Sequence, residues 1–463
     1  MTLEHPSNPD RGTPSAATPA TPRLTHARVL HIAGPIVLSN ATVPLLGAVD
    51  TGVVGQLGQA APIGAVGVGA IILASVYWVF GFLRMGTSGL AAQAHGAGDA
   101  AERGAILIRA LAIGLAAGLL MIAGQVAIFQ AAFWLAPASA EVESLARDYL
   151  AIRIWGAPAT IALYAVTGWL IAVERARAVL GLQLWINGLN IALDLLFVLG
   201  LGWGVQGVAV ATLIAEVSGL ALGLWLCRSA FASTALRDRA RLLAAAPLKR
   251  MLSVNTDIMI RSVLLQAAFT TFTFLGAGQG DVTLAANQVL LQFLAITAYA
   301  LDGFAFAAES LVGQAVGARD PRGVRRAAVL ASGWAAGAAV MLGATFALAG
   351  GALIDLMATD AQVRAQARLF LPWMAAAPLV GVASWMFDGI FIGATLTREM
   401  RRTMMLSVAI YVAGLLLLLP AFGNHGLWAA LMLLNTARGL TMARLYPRAE
   451  AAAQPLFGAR VER

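Results

Sequence analysis

Two carboxylates sit where an apolar chain has least use for them. Asp50 lies inside the first apolar segment, residues 29–58, in the run PLLGAVDTGVVGQLG, and Asp194 lies in the fifth, in NGLNIALDLLFVLG. A carboxylate at bilayer depth costs several kcal/mol and persists where it faces an aqueous path or a partner. Two of them in one half of a chain read as a proton or cation site in a membrane transporter. Asn187, Asn190 and Asp194 are spaced three and four apart, so they share one helix face. Amides beside a carboxylate suit a proton relay or a partly dehydrated sodium ion, since both need several oxygens. A buried polar cluster that only fixes helix packing is the alternative.

A second group of charges occupies the later segments. Asp302 and Glu309 are seven residues apart, on nearly the same face of an eighth helix. Arg261, in the seventh, is the expected neutralising partner for one of them, and Asp257 one turn earlier is its other candidate partner. We read this network as structural or gating ion pairs in preference to a second coupling site. Arg84 and Glu216 are weaker signals, and Asp99, Asp320 and Asp388 are expected in loops or caps at helix ends. Pro35 and Pro44 interrupt the first helix, and each removes a backbone hydrogen bond. The helix either bends there in step with Asp50 protonation or carries a static kink.

The elements that position these residues follow from composition. Of 463 residues, 59% are hydrophobic and 12% charged, and the mean hydropathy is +0.78. So much apolar surface requires lipid as solvent. At roughly 20 residues per span, the sequence predicts an all-α integral membrane protein. Its twelve helices are expected near 29–55, 62–93, 104–129, 145–172, 178–201, 205–227, 249–275, 283–314, 324–350, 364–393, 402–420 and 426–446. The net charge of +8 is almost all arginine, gathered mainly in short loops on one side with only a few arginines in the opposite loops, which excludes a nucleic-acid partner and orients a membrane protein. Both termini are therefore expected to be cytoplasmic. One cysteine, and five histidines without ligand spacing, exclude a disulfide and a cysteine-based zinc cluster. No Walker A sequence, catalytic triad or metal-hydrolase motif occurs, so the chain is expected to be no enzyme and to carry no cofactor beyond a coupling proton or sodium ion.

The chain also repeats. GLAAQAHGAGD at 89–99 matches SLVGQAVGARD at 310–320, an offset of 221 that also relates Gly55 to Gly276 and Gly168 to Gly389. An even number of spans per half gives both halves the same topology. We expect two pseudo-symmetric six-helix lobes, 25–227 and 249–447, joined by a basic cytoplasmic linker at 228–248. Residues 1–24, rich in Pro, Thr, Ala and Ser, read as a disordered tail, and 448–463 as a second cytoplasmic tail. Substrate belongs between the lobes, where alternating access exposes it to either side.

The runs PIVLSNATVPLLGAVDTGVVGQLG, NGLNIALDLLFVLGLGWGVQGVAVAT and ANQVLLQFLAITAYALDGFAFAAESLVGQAVGARD resemble the multidrug and toxic compound extrusion (MATE) family, closest to its DinF-like branch, over about residues 25–447. The resemblance implies an antiporter that exports organic cations, drugs or amphipathic metabolites against inward proton or sodium flow. It implies that Asp50, Asn190 and Asp194 carry the coupling ion, with Thr212 on the sixth helix and Tyr149 on the fourth, and that Pro35 marks the bend. The sodium-coupled branch has an acid where this chain has Arg261, although Asp388 is similar in position to that branch's tenth-helix acid, so proton coupling is favoured. A monomer in a bacterial inner membrane, with the bilayer and an amphipathic or cationic small molecule as its partners, completes the expectation. The competing readings are a flippase for lipid-linked precursors and a non-transporting stress-response membrane protein.

Overall fold

The computed structural model describes residues 24–56, 60–135, 139–232 and 238–454. Residues 1–23 and 455–463, which hold most of both expected tails, and Arg237 of the linker lie outside the described residues. Everything described is helix or connection. The first half runs through α1 (His26–Gly55), α2 (Ala60–Val79), α3 (Phe82–Gly96), α4 (Ala100–Ala123), α5 (Gln125–Leu135), α6 (Ala140–Arg153), α7 (Ala157–Ala172), α8 (Ala176–Asp194) and α9 (Gly204–Leu226). Two short helices follow, α10 (Arg228–Phe231) and α11 (Arg239–Leu242). The second half comprises α12 (Ala245–Ala277), α13 (Asp281–Gly317), α14 (Pro321–Met357), α15 (Ala361–Gly393), α16 (Thr397–Phe422) and α17 (Asn424–Leu445), then the short α18 (Pro447–Ala451).

Among the described residues, 10 helical stretches are long and apolar enough to cross a membrane. The chain is thus a multi-pass membrane protein. Two expected spans, α1 and α17, are not among the ten, although they are 30 and 22 residues long. In α17 the polar residues dilute the apolar pattern, and protein shields three of them: Asn424, Asn435 and Arg438 are all buried.

Boundaries are set by local chemistry. Asp99 caps α4 by accepting from Glu102 N at 2.8 Å, and Asp320 caps α14 by accepting from Gly323 N at 2.9 Å. An N-cap carboxylate satisfies a backbone donor that the helix leaves orphaned, and Pro321 at the first turn gives up no needed N–H. The expected second span is interrupted at Phe80 and Gly81, between α2 and α3. The linker is not free: Arg109 on α4 donates to Leu242 O at 3.0 Å and to Arg241 O at 2.6 Å. The expected second tail begins as α18, whose Ala449 is fully buried.

Close helix crossings depend on glycine. A Cβ on Gly168 would meet the backbone of Arg84, and one on Gly389 would meet the backbone of Ala305. Both pairs obey the 221-residue offset. Small residues at such crossings let backbones touch, which is how helices associate in lipid without a hydrophobic drive.

Candidate functional site

The two expected coupling acids come together. Asp194 ends α8, where the helix loosens into a π-helical turn at Leu195–Gly200, a distortion often found at functional positions. Its side chain is fully buried, and neither carboxyl oxygen has a hydrogen-bond partner by distance and angle. Asp50 on α1 interacts with it carboxyl to carboxyl. Asp50 Oδ1 is likewise buried without a partner. Two carboxylates so placed repel each other unless they share a proton or enclose a cation.

The neighbours expected from sequence divide between this site and its scaffold. Asn190, fully buried one turn before Asp194, donates through Nδ2 to Thr212 Oγ1 at 3.2 Å, joining α8 to α9. Asn187 points instead to α1, where Nδ2 donates to Thr42 Oγ1 at 3.0 Å. It is a clamp between α8 and the acid-bearing helix. Pro35 and Pro44 lie within α1, which continues as one helix through both. Tyr149 on α6 is buried against Gly69 of α2 and interacts with Arg153 one turn later.

Sequence reasoning missed Arg153 and underweighted Glu216. They form a buried two-pronged pair, Nη1 to Oε2 at 2.7 Å and Nη2 to Oε1 at 2.9 Å. Arg153 also acts electrostatically on both Asp50 and Asp194. The signal was available: Arg153 follows Tyr149 by four residues, and Glu216 follows Thr212 by four, so each shares a helix face with an expected site residue.

The second-half charges are re-paired relative to expectation. Arg261 pairs with Asp388 and not with Asp257. Asp257 accepts from Thr397 Oγ1 at 3.2 Å and pairs with Arg401 at 2.7 Å. Asp388 is no helix cap: it is buried on α15, and its Oδ2 also takes Arg438 Nη2 at 2.6 Å. Glu309 lies 3.6 Å from Arg84, whose guanidinium stacks 3.9 Å from the Phe306 ring centre. Asp302 acts electrostatically on Arg261. Arg84, Arg261, Asp302, Glu309, Asp388 and Arg438, without Asp257, line one cavity of about 440 Å³ whose wall also carries Trp78, Phe269, Leu294 and Trp385.

At one end of the molecule the repeated motifs meet where α3 and α13 cross. A Cβ on Gly96 would strike the backbone of Gln314, and one on Gly317 would strike that of Gln93. Gln93 Nε2 donates to Gly393 O at 3.0 Å, and Gln314 Nε2 donates to Ala172 O at 3.0 Å. Every partner in one contact maps onto the other at the same offset. The flanking groups differ. Arg28 grips Glu174 and reaches Gln314 Oε1 at 2.9 Å, whereas Arg250 reaches Gln93 Oε1 at 2.9 Å beside the neutral Thr395.

A family model described as MatE matches residues 35–196 and 258–418. The chain is 41% identical over 422 residues to DNA damage-inducible protein F of Escherichia coli K12, covering 90% of this chain and 91% of that one. It is 26% identical over 464 residues to a probable multidrug resistance protein NorM of Pseudomonas aeruginosa, covering 93% of each. A solved outward-facing multidrug resistance transporter of the MATE family superposes with a TM-score of 0.82 at 18% identity, over 93% of this chain and 97% of that one.

Proposed function

Since the chain belongs to the MatE family, whose solved members are membrane transporters, we propose that it is a secondary antiporter that exports amphipathic small molecules in exchange for inward protons. The observation that carries this reading is the facing carboxyl pair of Asp50 and Asp194, in which Asp50 Oδ1 and both oxygens of Asp194 are buried without a hydrogen-bond partner by distance and angle. Such a pair takes up and releases a proton readily, because the second ionisation is opposed by the first. Arg153 favours the proton over sodium, since a fixed guanidinium repels a bound metal cation. On this reading α1 and α17 also span the bilayer, giving twelve helices in two six-helix lobes with both termini and the basic loops in the bacterial cytoplasm. The end sealed by Gln93 and Gln314 then faces the cytoplasm, and α1 bending at Pro35 or Pro44 links protonation to opening.

The amphipathic character of the substrate draws support from the mixed wall of the 440 Å³ cavity. A flippase for lipid-linked precursors is less well supported: a diphosphate calls for surplus positive charge, and the three cavity arginines face three carboxylates.

The test is transport of a fluorescent amphipathic dye into proteoliposomes under an imposed proton gradient, repeated under a sodium gradient alone. Wild type should accumulate dye with the proton gradient only, and Asp50→Asn should fall to the rate of protein-free vesicles. Uptake indifferent to both gradients and to the substitution would remove Asp50 from the mechanism.

A further inference from the structure

The polar cavity between α2–α3 and the second half balances its charges but not its hydrogen bonds. Arg84, Arg261 and Arg438 line it together with Asp302, Glu309 and Asp388, three cations to three acids. A guanidinium carries five N–H donors. Arg438 spends one nitrogen on Asp388 and another on Asn435 Oδ1 at 3.1 Å, and Arg261 spends one on Asp388. Arg84 stands 3.6 Å from Glu309, beyond hydrogen-bonding distance. Arg84 Nη1, Arg261 Nε and Arg438 Nε are buried with no acceptor among the described residues; both oxygens of Glu309 are likewise unmet, but they face Arg84, which leaves the donors of Arg261 and Arg438 in excess. Arg261 and Arg438 are only 6% and 4% exposed, and both line the cavity, so whatever meets their remaining donors enters through it. An unmet buried donor on a charged group is costly, and an excess of them around one cavity calls for a ligand rich in acceptors.

We propose that this cavity binds an amphipathic compound with an acidic head group, a carboxylate or sulfonate, held by Arg261 and Arg438. Its apolar body lies against Trp385, Phe269 and Leu294, which share the same wall. A single negative charge matches the site better than a diphosphate, because Asp388 already draws on both arginines. An organic cation would have to enter among three guanidiniums, and the unmet acceptors open to it are those of Glu309, which Arg84 already faces at 3.6 Å. The inference rests on the transporter reading for its meaning as a substrate site, while the binding itself does not depend on that reading.

Two probes sharing one fluorophore test it: dansyl-alanine, an acid, and a dansyl derivative ending in a quaternary ammonium. Equilibrium fluorescence on the purified full chain in detergent gives binding, and proteoliposomes with a proton gradient give transport. Wild type should bind the acidic probe at least ten-fold more tightly than the cationic one. Arg438→Gln should weaken the acidic probe at least ten-fold, and Arg438→Lys should recover part of the loss. The double variant Arg438→Gln with Asp388→Asn removes both members of the pair, guards against a folding defect, and should bind the acid as weakly. Tighter binding of the cationic probe would overturn the proposal, as would undiminished acid binding by a monodisperse Arg438→Gln protein. Arg438-dependent acid binding with neither probe transported would sink the antiporter reading and leave this one standing. Proton-driven transport of the cation alone, with the acid unbound, would do the reverse.

Discussion

At the scale of residues, the proposed coupling chemistry rests on single side chains, and their environment differs from what their spacing implied. Asp50 and Asp194 meet as expected, yet the group that distinguishes this site is Arg153, held by Glu216. Substituting Glu216→Gln should leave Arg153 to compete for the acid pair, shifting the pH dependence of transport to lower pH, as a pH–rate profile would show. Elsewhere Glu174, in the turn between α7 and α8, is pulled two ways. Burial raises its carboxyl, but hydrogen bonding and charge from Arg28, with help from Gln314 and His95, hold it below the ordinary 4.5. A depressed carboxyl contributes stability that is complete above its unfolded value and lost as pH falls through the folded one. Thermal unfolding of wild type should therefore be steady from neutral pH down to about 5 and decline below the usual glutamate range. Glu174→Gln should be destabilised at neutral pH by about 2 kcal/mol, with a flatter acid limb.

At the scale of elements, the repeat is written into contacts as well as letters. α3 and α13 cross where Gly96 and Gly317 admit each other's backbone, with Gln93 and Gln314 reaching carbonyls at the ends of α15 and α7. The turns that follow keep the offset too: Gly98 and Arg319 adopt positive φ (72° and 57°), as do Glu174 and Thr395 (58° and 53°). Gly317→Val should wedge the crossing open, and Gly96→Val should do so to a similar degree. A cysteine placed at Ala92, which is fully buried, reports this, because the native Cys227 is itself buried. It should resist a permeant maleimide in the otherwise native protein and react in either valine background. Equal resistance in all three proteins would show that the crossing does not seal that end.

For the whole molecule, orientation is the prediction of widest reach. The arginine-rich turns gather at the end where the repeated motifs meet, and the acid-rich turns at the other. Cysteines replacing the exposed Arg177 and Glu141 should be labelled from opposite sides of the membrane by an impermeant reagent. Arg177→Cys should react only from the cytoplasmic side and Glu141→Cys only from outside. Labelling of both from one side would break the twelve-span topology, and labelling with the sides exchanged would reverse it.

The sequence by itself determined the solvent, the run of apolar helices, the repeat at 221 and the positions of Asp50 and Asp194, because hydropathy and helical spacing are local properties of the chain. The N-caps at Asp99 and Asp320 were legible for the same reason, each bonding three residues ahead. Tertiary structure alone decided which charge meets which. Arg261 finds Asp388 across 127 residues and not Asp257 across four, while Arg438 reaches the same carboxylate across 50. A helix offers its residues in all directions, and only its rotation and crossing angle against neighbours select the face that becomes a site. The cavity with its surplus of guanidinium donors is a product of that selection, and no window of sequence contains it.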